Sequence, residues 1–578
     1  MKHRIFLFLL LLSAITVQAQ KFDYDGLEYS ILSEENKTCA VSEQSKTIAG
    51  DVVIPSVAEY NNNDYLVVEI GSKAFFRQQL QSIALPSSIV TIGMGAFYNC
   101  NKIIDLVIPE KVDSIGAYAF SGCTSLVSVS IPESMKKIGM SAFSNCSNLK
   151  IANFESIESL CAIDFGCIPS PYAYCDANPL LYTGKLFIGG KEIIDLVIPE
   201  TVKSIGKTAF FGCKNIVSVT FPKSINKIGT AAFERCDNIV WVDYPDFETL
   251  FEIDYYGSAN PLKFASFLSI NGKRVDEIVV PKTVTSIGNY VFDGYVGLKS
   301  IEIPDWITSI GSCTFSDSGL EEIVIPNSIR SIGSAAFGGC HIKTITIPNS
   351  VRSIGERAFF NCEDLRTVEL LLEPGAIVEK EAFDGSSYIR EFGITSIENL
   401  CKIGFKSPTS NPLYYSNKVY VEGKEIRELE IPNSVTSIGS YNFVGCKRIT
   451  SLKIPDSIET IGDKAFNDAI SLEKIIYQTD SPISADASIF NDNTYLNATL
   501  FIPEKGLETA DRIDPWRLFK DIEVLEDSGI EDVVFDRNDG PVAVYNLHGL
   551  KVADSTAGLP TGIYIVKQGA ETKKIIIQ

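Results

Sequence analysis

Histidine, the side chain most often used for proton transfer and metal ligation, is nearly absent from this chain. His3 lies in an N-terminal leader, and His341 and His548 sit far apart in the sequence. Neither has a second His, or a Cys and Asp set, at the spacing of a metal site or a catalytic triad. Each therefore reads as a structural or surface residue. The sequence holds no Gly-rich phosphate loop and no metalloprotease helix motif. The chain reads as non-enzymatic, without metal or other cofactor.

Cysteine is the reactive side chain present in number, with 14 copies. Eight of them, Cys100, Cys123, Cys146, Cys213, Cys236, Cys340, Cys362 and Cys446, recur at one position of an internal repeat. Stacked parallel side chains come close together but do not reach the perpendicular torsion of a disulfide. Free buried thiols, acting as small hydrophobes, are the expected state. Cys161, Cys167 and Cys175 fall off that position and leave room for one disulfide, while Cys39, Cys313 and Cys401 have no evident partner.

Tyrosine offers a different chemistry, contact with a protein or stacking on a sugar. Three groups stand out: Tyr172, Tyr174 and Tyr182; Tyr255 and Tyr256; Tyr414, Tyr415 and Tyr420. They are the candidate binding residues. The structural alternative is that they pin the segments carrying them onto the rest of the fold.

The elements that must position these residues come from one recurring unit. Ile-Gly, three residues and then Phe occurs twelve times, with Gly at 71, 93, 116, 139, 206, 229, 288, 311, 333, 355, 439 and 462. A degenerate copy runs from Val378-Glu379 to Phe383. Most neighbouring glycines are 22 or 23 residues apart, the period of a leucine-rich repeat. In the copy from Leu126 to Leu149, Val129 and Ile131 alternate with Ser128 and Ser130, which predicts a short strand with one face buried. Pro132 cannot donate to a ladder and ends it. Gly139 supplies a bend, and Ala142, Phe143 and Cys146 fall at the spacing of a short helical or 3₁₀ turn. Stacking such units buries a column of phenylalanines.

Three units are longer, at glycine gaps of 67 (139 to 206), 59 (229 to 288) and 60 (379 to 439). Their inserts share a helix-start signal at Ser156, Asp246 or Ser396, then Asn-Pro-Leu from 178, 260 or 411. Each ends in a hairpin around Gly189-Gly190-Lys191, Asn271-Gly272-Lys273 or Glu422-Gly423-Lys424. The outward residues of the predicted sheet stand two and four before each Pro, for example Val107 and Asp105 or Glu302 and Ser300. They predict a smooth, mildly acidic face without an aromatic cluster. It suits an extended basic partner, or solvent alone.

Ile347-Pro348-Asn-Ser-Val351-Arg-Ser-Ile354-Gly355-Glu-Arg-Ala358-Phe359-Phe-Asn-Cys362 closely resembles the BspA-type leucine-rich repeat of bacterial surface proteins. The resemblance covers about residues 22–526. Asp23 to Leu32 is similar to that family's N-terminal cap, and Leu500 to Lys520, with Pro515-Trp516, to its closing unit. The tail, with Val544-Tyr545, Gly549, Gly562-Ile-Tyr564 and Lys573-Lys574, is similar to C-terminal sorting domains of type IX secretion substrates, although it is short and ends in Gln578. The resemblance implies a surface-attached or released adhesin, whose relatives bind host matrix proteins such as fibronectin and fibrinogen.

The expected architecture is a leucine-rich-repeat solenoid, mostly β with short helical or 3₁₀ turns. It has a parallel sheet on its concave face and a small C-terminal β domain. Residues 1–19, basic then apolar and ending Val17-Gln18-Ala19, read as a signal peptide. An N-terminal β cap (20–69) follows, then repeats (70–526) with inserts at about 150–198, 240–280 and 384–431, then a sorting-like domain (528–578). Loss of Lys2 and Arg4 with the signal takes the net charge from −21 to −23, which repels phosphate backbones and excludes nucleic acid as a partner. No later segment is long and apolar enough to span a bilayer. The chain is expected outside the cell or on its outer surface, binding a matrix or cell-surface protein, with polysaccharide capture through the insert tyrosines as the alternative.

Overall fold

The computed structural model describes residues 20–167, 175–257, 259–275, 277–416, 418–525, 542–546, 550–553, 562–568 and 571–577. The signal segment, Tyr172, Tyr174 and His548 lie outside them. The chain divides into two compact units, Met1–Phe392 with Phe405–Tyr415, and Gly393–Gly404 with Ser416–Gln578.

In the first unit the predicted strands before Pro form an outer parallel ladder. Asp105–Val107, Ser128–Ile131 and Ile151–Phe154 pair in register, with Leu106, Val129 and Ala152 side by side and buried. A second parallel ladder, not expected from the alternation, forms at the Ile-Gly signature. Thr91–Ile92, Ser114–Ile115, Lys137–Ile138 and Asp164–Phe165 pair successively. Two residues per coil are too few to show a period, so only the structure reveals this ladder. It continues into the N-terminal cap through Asn63–Ile70 and Thr38–Val41, and antiparallel strands Leu27–Ser33 and Lys21–Tyr24 close its end.

Between Gly and Cys the chain makes successive i→i+3 hydrogen bonds, such as Ala96 N–H to Gly93, Tyr98 to Gly95 and Cys100 to Phe97. This is the bonding of a 3₁₀ turn, but residues two and six after the Gly take positive φ and keep it from continuing as a helix (Tyr118 at 58°, Ser141 at 54°, Asn99 at 57°). The intervening N–H groups bond the next coil: Gly95 to Ala117, Phe97 to Ala119 and Asn99 to Ser121. Each turn is thus tied both to itself and to its neighbour, leaving these buried amides paired.

The repeat glycine works by close approach, and its φ is not positive. A Cβ built on Gly116 would stand 2.5 Å from the Met94 nitrogen and 2.6 Å from the Gly93 carbonyl carbon. Its neighbours Gly93, Gly139, Gly333 and Gly355 are equally confined by backbone, whereas Gly288 meets nothing nearer than 3.6 Å. The Ser two after the Pro donates to the preceding coil's Val carbonyl in some coils, as Ser134 does to Val112 at 2.7 Å and Ser224 to Val202 at 2.9 Å, whereas the hydroxyls of Ser328 and Ser350 at the same position are buried with no hydrogen-bond partner among the described residues.

Inside, the phenylalanines stack as predicted. Phe75, Phe97, Phe120 and Phe143 stand 5.4, 5.3 and 5.5 Å apart with nearly parallel rings. A second run goes from Phe292 through Phe315, Phe337 and Phe359 to Phe383. The eight repeat cysteines are free and buried. They are more than small hydrophobes, because thiols donate to the preceding coil's Phe carbonyl: Cys123 to Phe97 at 3.2 Å, Cys146 to Phe120 at 3.3 Å and Cys362 to Phe337 at 3.1 Å. Ser386 takes the same position and donates to Phe359 at 2.7 Å. Cys167 and Cys175 form the one disulfide, and Cys161 stays free.

Burial pushes the Cys100 and Cys340 thiols up to about 12, far above the pH at which thiolates attack alkylating agents. The native protein at pH 8 is expected to resist iodoacetamide at all eight repeat cysteines and to take up label there only after denaturation. Mass spectrometry of the labelled peptides reads this directly, and rapid native labelling at Cys123 or Cys236 would contradict a dry interior.

The inserts fold as predicted, each beginning with a helix. Ser156, Asp246 and Ser396 cap Ile157–Ala162, Phe247–Glu252 and Ile397–Cys401 by accepting from Ser159, Thr249 and Asn399. The buried Asn of Asn-Pro-Leu carries a role the motif did not disclose. Asn178 donates to the Thr208 and Ala209 carbonyls at 2.8 and 3.2 Å, and Asn260 to Val291 at 2.6 Å. One side chain thereby replaces the backbone bonds that the insert interrupts. The first two hairpins, Leu186–Ile188 with Lys191–Ile193 and Phe267–Ile270 with Lys273–Arg274, then terminate the outer ladder. Both central turn residues have positive φ, as a type I′ turn requires (Gly189 54°, Gly190 79°; Asn271 50°, Gly272 71°).

The second unit repeats this plan. Glu428–Glu430, Ser451–Ile454, Lys474–Tyr477, Thr499–Ile502 and Asp521–Val524 pair in parallel. Phe443, Phe466 and Phe490 stack, and Trp516 closes the column against Tyr477 and Phe519 with its indole donating to Ile483 at 2.7 Å. The tail forms an antiparallel sheet in the order Lys551–Ala553, Val542–Asn546, Gly562–Gln568, Glu571–Ile577.

Candidate functional site

Tyr172 and Tyr174 lie outside the described residues, and the other candidate tyrosines differ in burial and in partners. Tyr182 is half-buried, and its hydroxyl accepts from the Asn145 backbone at 3.3 Å. Tyr415 accepts from Gly385 at 3.2 Å and donates to Asp384 at 3.2 Å, with Tyr414 edge-on at 5.0 Å. Tyr182 and Tyr415 hold equivalent places, four residues after the Asn of Asn-Pro-Leu, and each fastens its insert to the preceding turn. Tyr255 is a core residue, 2% exposed, with its hydroxyl 3.0 Å from that of Tyr244, so no partner reaches it in this conformation. Tyr420 is half-buried on the strand Lys418–Val421. Among the described candidates only Tyr256 is well exposed, at 42%, with Lys227 over its ring at 4.8 Å.

His341 lies on the surface, 2.9 Å from Asp364. Among the described residues no group of three His, Cys, Asp or Glu is placed to hold a metal ion, and no helix is long and apolar enough to cross a membrane.

The outer ladder itself carries a feature that the strand pattern did not predict. It opens after the second insert. Among the described residues, Ser300–Ile301 with Glu322–Ile323 is the one strand pair of the outer ladder between 277 and 343, and no backbone bond joins 277–280 to 300–303. The Ile-Gly ladder stays closed over this stretch, through Ser309–Ile310, Ser331–Ile332 and Ser353–Ile354, and the Phe column is unbroken. The coils therefore part on the outer side only. Two local features coincide with the opening. Gly288 stands clear of the insert helix, and the next two coils lack one residue between the Cys position and the following apolar residue (Ser318 to Leu320, Cys340 to Ile342).

Two adjoining depressions occupy the opening. One is lined by Phe267, Arg274, Ile278, Tyr295, Leu298 and Ser300. The other shares Ile278 and Ser300 and extends over Glu277, Glu302, Glu322, Val324 and Thr344. Its floor is apolar (Ile278, Ile301, Ile303), and its rim is exposed, with Val324 at 79%. At the near end Trp241 and Phe267 pack at 4.7 Å, with Arg274 over Phe267 at 4.3 Å. The expectation of a face without aromatics is corrected here. Trp241 stands four before Pro245, the same outward position as the acids, and that spacing was the available signal.

In the turn after Phe292, Asp293 is a buried carboxyl whose pKa burial raises to about 7, with Asp317 and Glu234 adding to the rise and Lys263 and a hydrogen bond from Ser316 opposing it. Between about pH 4 and 7 the folded chain keeps the proton that the unfolded chain releases, so stability falls as pH rises and the loss is complete above 7. Asp293→Asn removes this penalty. The variant is expected to melt with the wild type at pH 4 and to gain on the order of 2–4 kcal/mol over it at pH 8. Thermal unfolding at the two pH values checks this, and equal gains at both would refute it.

Two ladders, a Phe column and glycines laid backbone on backbone define a leucine-rich-repeat solenoid. The BspA type leucine-rich repeat region matches in six copies over residues 62–166, 184–267, 267–390 and 415–511, and the chain belongs to that family. No curated protein sequence matches it. Among solved structures it is similar to a leucine-rich repeat protein from Bacteroides ovatus, 23% identical over 87% of this chain and 99% of the other, with a TM-score of 0.37. A leucine rich cell surface protein from Faecalibacterium prausnitzii is 20% identical over 67% and 98%, TM-score 0.40. The pneumococcal vaccine antigen PcpA is 17% identical over 88% and 98%, TM-score 0.33.

Proposed function

We propose that the protein is a secreted or surface-attached, non-catalytic binding protein, an adhesin that contacts host or microbial proteins through its repeats. The observation that carries this reading is the division of labour in the coil. The repeat's Ile, Gly, Ala, Phe and Cys are spent on the interior, while the outward strand positions vary from coil to coil. A rigid scaffold with a freely varying face suits recognition. Residues 1–19 serve as the export signal, 20–69 as the cap, 70–526 as the binding region with its three inserts, and 528–578 as a sorting domain of the type IX kind.

The test is saturable binding of the purified full mature chain to an array of extracellular-matrix and cell-surface proteins. Absence of any signal there and on intact host and microbial cells would remove the reading. A polysaccharide-capturing role through the insert tyrosines is favoured, among the described residues, by exposed Tyr256 alone, and glycan arrays with Tyr256→Ala decide it.

A further inference from the structure

We infer that the opened outer ladder between Lys273–Arg274 and Thr344–Ile347 receives an extended, basic segment of a partner polypeptide, laid in as an added strand. The inference rests on the binding role proposed above and gives that role a place and a partner chemistry.

Backbone is the first ground. Where the ladder is closed, a strand such as Ser128–Ile131 bonds a neighbour on each side. In the opening, among the described residues, 277–280 makes no backbone bond to 300–303, and 322–325 makes none to 344–347. Open strand edges are templates for pairing with another chain, and main-chain bonds supply affinity in such additions.

Side chains choose the partner. Outward positions alternate with the buried Ile278, Ile301 and Ile345, and they include Glu277, Glu302 and Glu322. Among the described residues none of these three has an ion pair, whereas Glu430, which stands two before its Pro in the second unit as Glu302 does here, is paired with Lys453 at 2.6 Å. An incoming strand meets this surface with a two-residue period. Lys or Arg on its outward side pairs with the glutamates, and apolar residues on its inner side cover the isoleucine floor. Of the cations on the lining, Lys299 is already held by Glu321 at 2.8 Å, so the three glutamates favour a basic segment over an acidic one.

The experiment uses the full mature chain and an acetylated, amidated octapeptide of alternating Lys and Val. The expected result is saturable binding, with slowed amide exchange on the two edges of the first gap, 277–280 and 300–303. A Glu-Val octapeptide should not bind, and a Lys-Pro octapeptide, which keeps the charge but has donors only at alternate residues, should bind at least tenfold more weakly. Glu302→Lys with Glu322→Lys should cost at least tenfold, while Glu110→Lys with Glu200→Lys, the same charge change on exposed residues elsewhere, should cost little. Equal binding of the Lys-Val and Lys-Pro peptides, equal losses in the two double variants, or no binding at all would overturn the inference. If the Glu302/Glu322 variant still captures its protein partners on the array, the adhesin reading survives and only this location is lost.

Discussion

Phe120→Ala is expected to destabilise the first unit by about 3–5 kcal/mol, the cost of removing a fully buried aromatic ring from a packed interior. Phe120 is 1% exposed and lies between Phe97 and Phe143 at 5.3 and 5.5 Å, so its loss leaves a void walled by two rings that cannot close. The flanking strands are held in register by both ladders and cannot sink inward to fill it. Phe120→Leu, which restores most of the volume, should recover a large part of the loss. Amide exchange gives the local readout: protection at Phe97 and Gly95, which bond Ala119 and Ala117, should fall first. A change below about 1 kcal/mol would mean that the column is not a close-packed interior.

Gly116→Ala is expected to cost about 3 kcal/mol or more, the upper range of overpacking, for the addition of a single methyl group. The new carbon would sit 2.5–2.8 Å from backbone atoms of Gly93 and Met94, which belong to a hydrogen-bonded strand and turn and cannot rotate away. The coils must separate, and the Gly116 N–H to Ile92 bond of 2.7 Å separates with them. Gly288→Ala is the internal control. It adds the same methyl where the nearest atom is a Val291 side-chain carbon at 3.6 Å, and it should be tolerated within about 1 kcal/mol. Equal losses at the two positions, measured by thermal unfolding, would show that glycine serves backbone flexibility and not close approach.

These positions also show what the sequence can and cannot disclose. The outer strands, Phe column, insert helices and hairpins each leave a periodic or capping signature within a few residues, and each was readable from that signature. The Ile-Gly ladder was not, because two residues cannot display alternation. The role of Asn178 and Asn260 was not, because their partners, Ala209 and Val291, lie 31 residues away and are backbone carbonyls without a side-chain signature. The candidate tyrosines illustrate a different gap. Composition distinguishes Tyr255 from Tyr256 in no way, yet one hydroxyl is sealed against Tyr244 and the other ring faces solvent. The opening of the outer ladder coincides with the clear space at Gly288 and with one missing residue in each of the next two coils, features that are visible in the spacing only in part and whose effect is decided by neighbouring strands.

The inserts have a mechanical consequence. Each hairpin in the first unit ends the outer ladder, and Asp195–Val197 begins a new one, so a pull along the chain meets a series of separately zipped blocks. A rupture that starts at one terminus should therefore halt at Ile193 and again at Arg274, where side chains such as Asn178 and Asn260 bridge the seam in place of the outer strands. Stretching single molecules should yield discrete steps, with the block from 195 to 274 releasing about 270 Å of chain at full extension. A protein anchored at a surface and loaded by flow would shed tension one block at a time while the remaining blocks keep their hold.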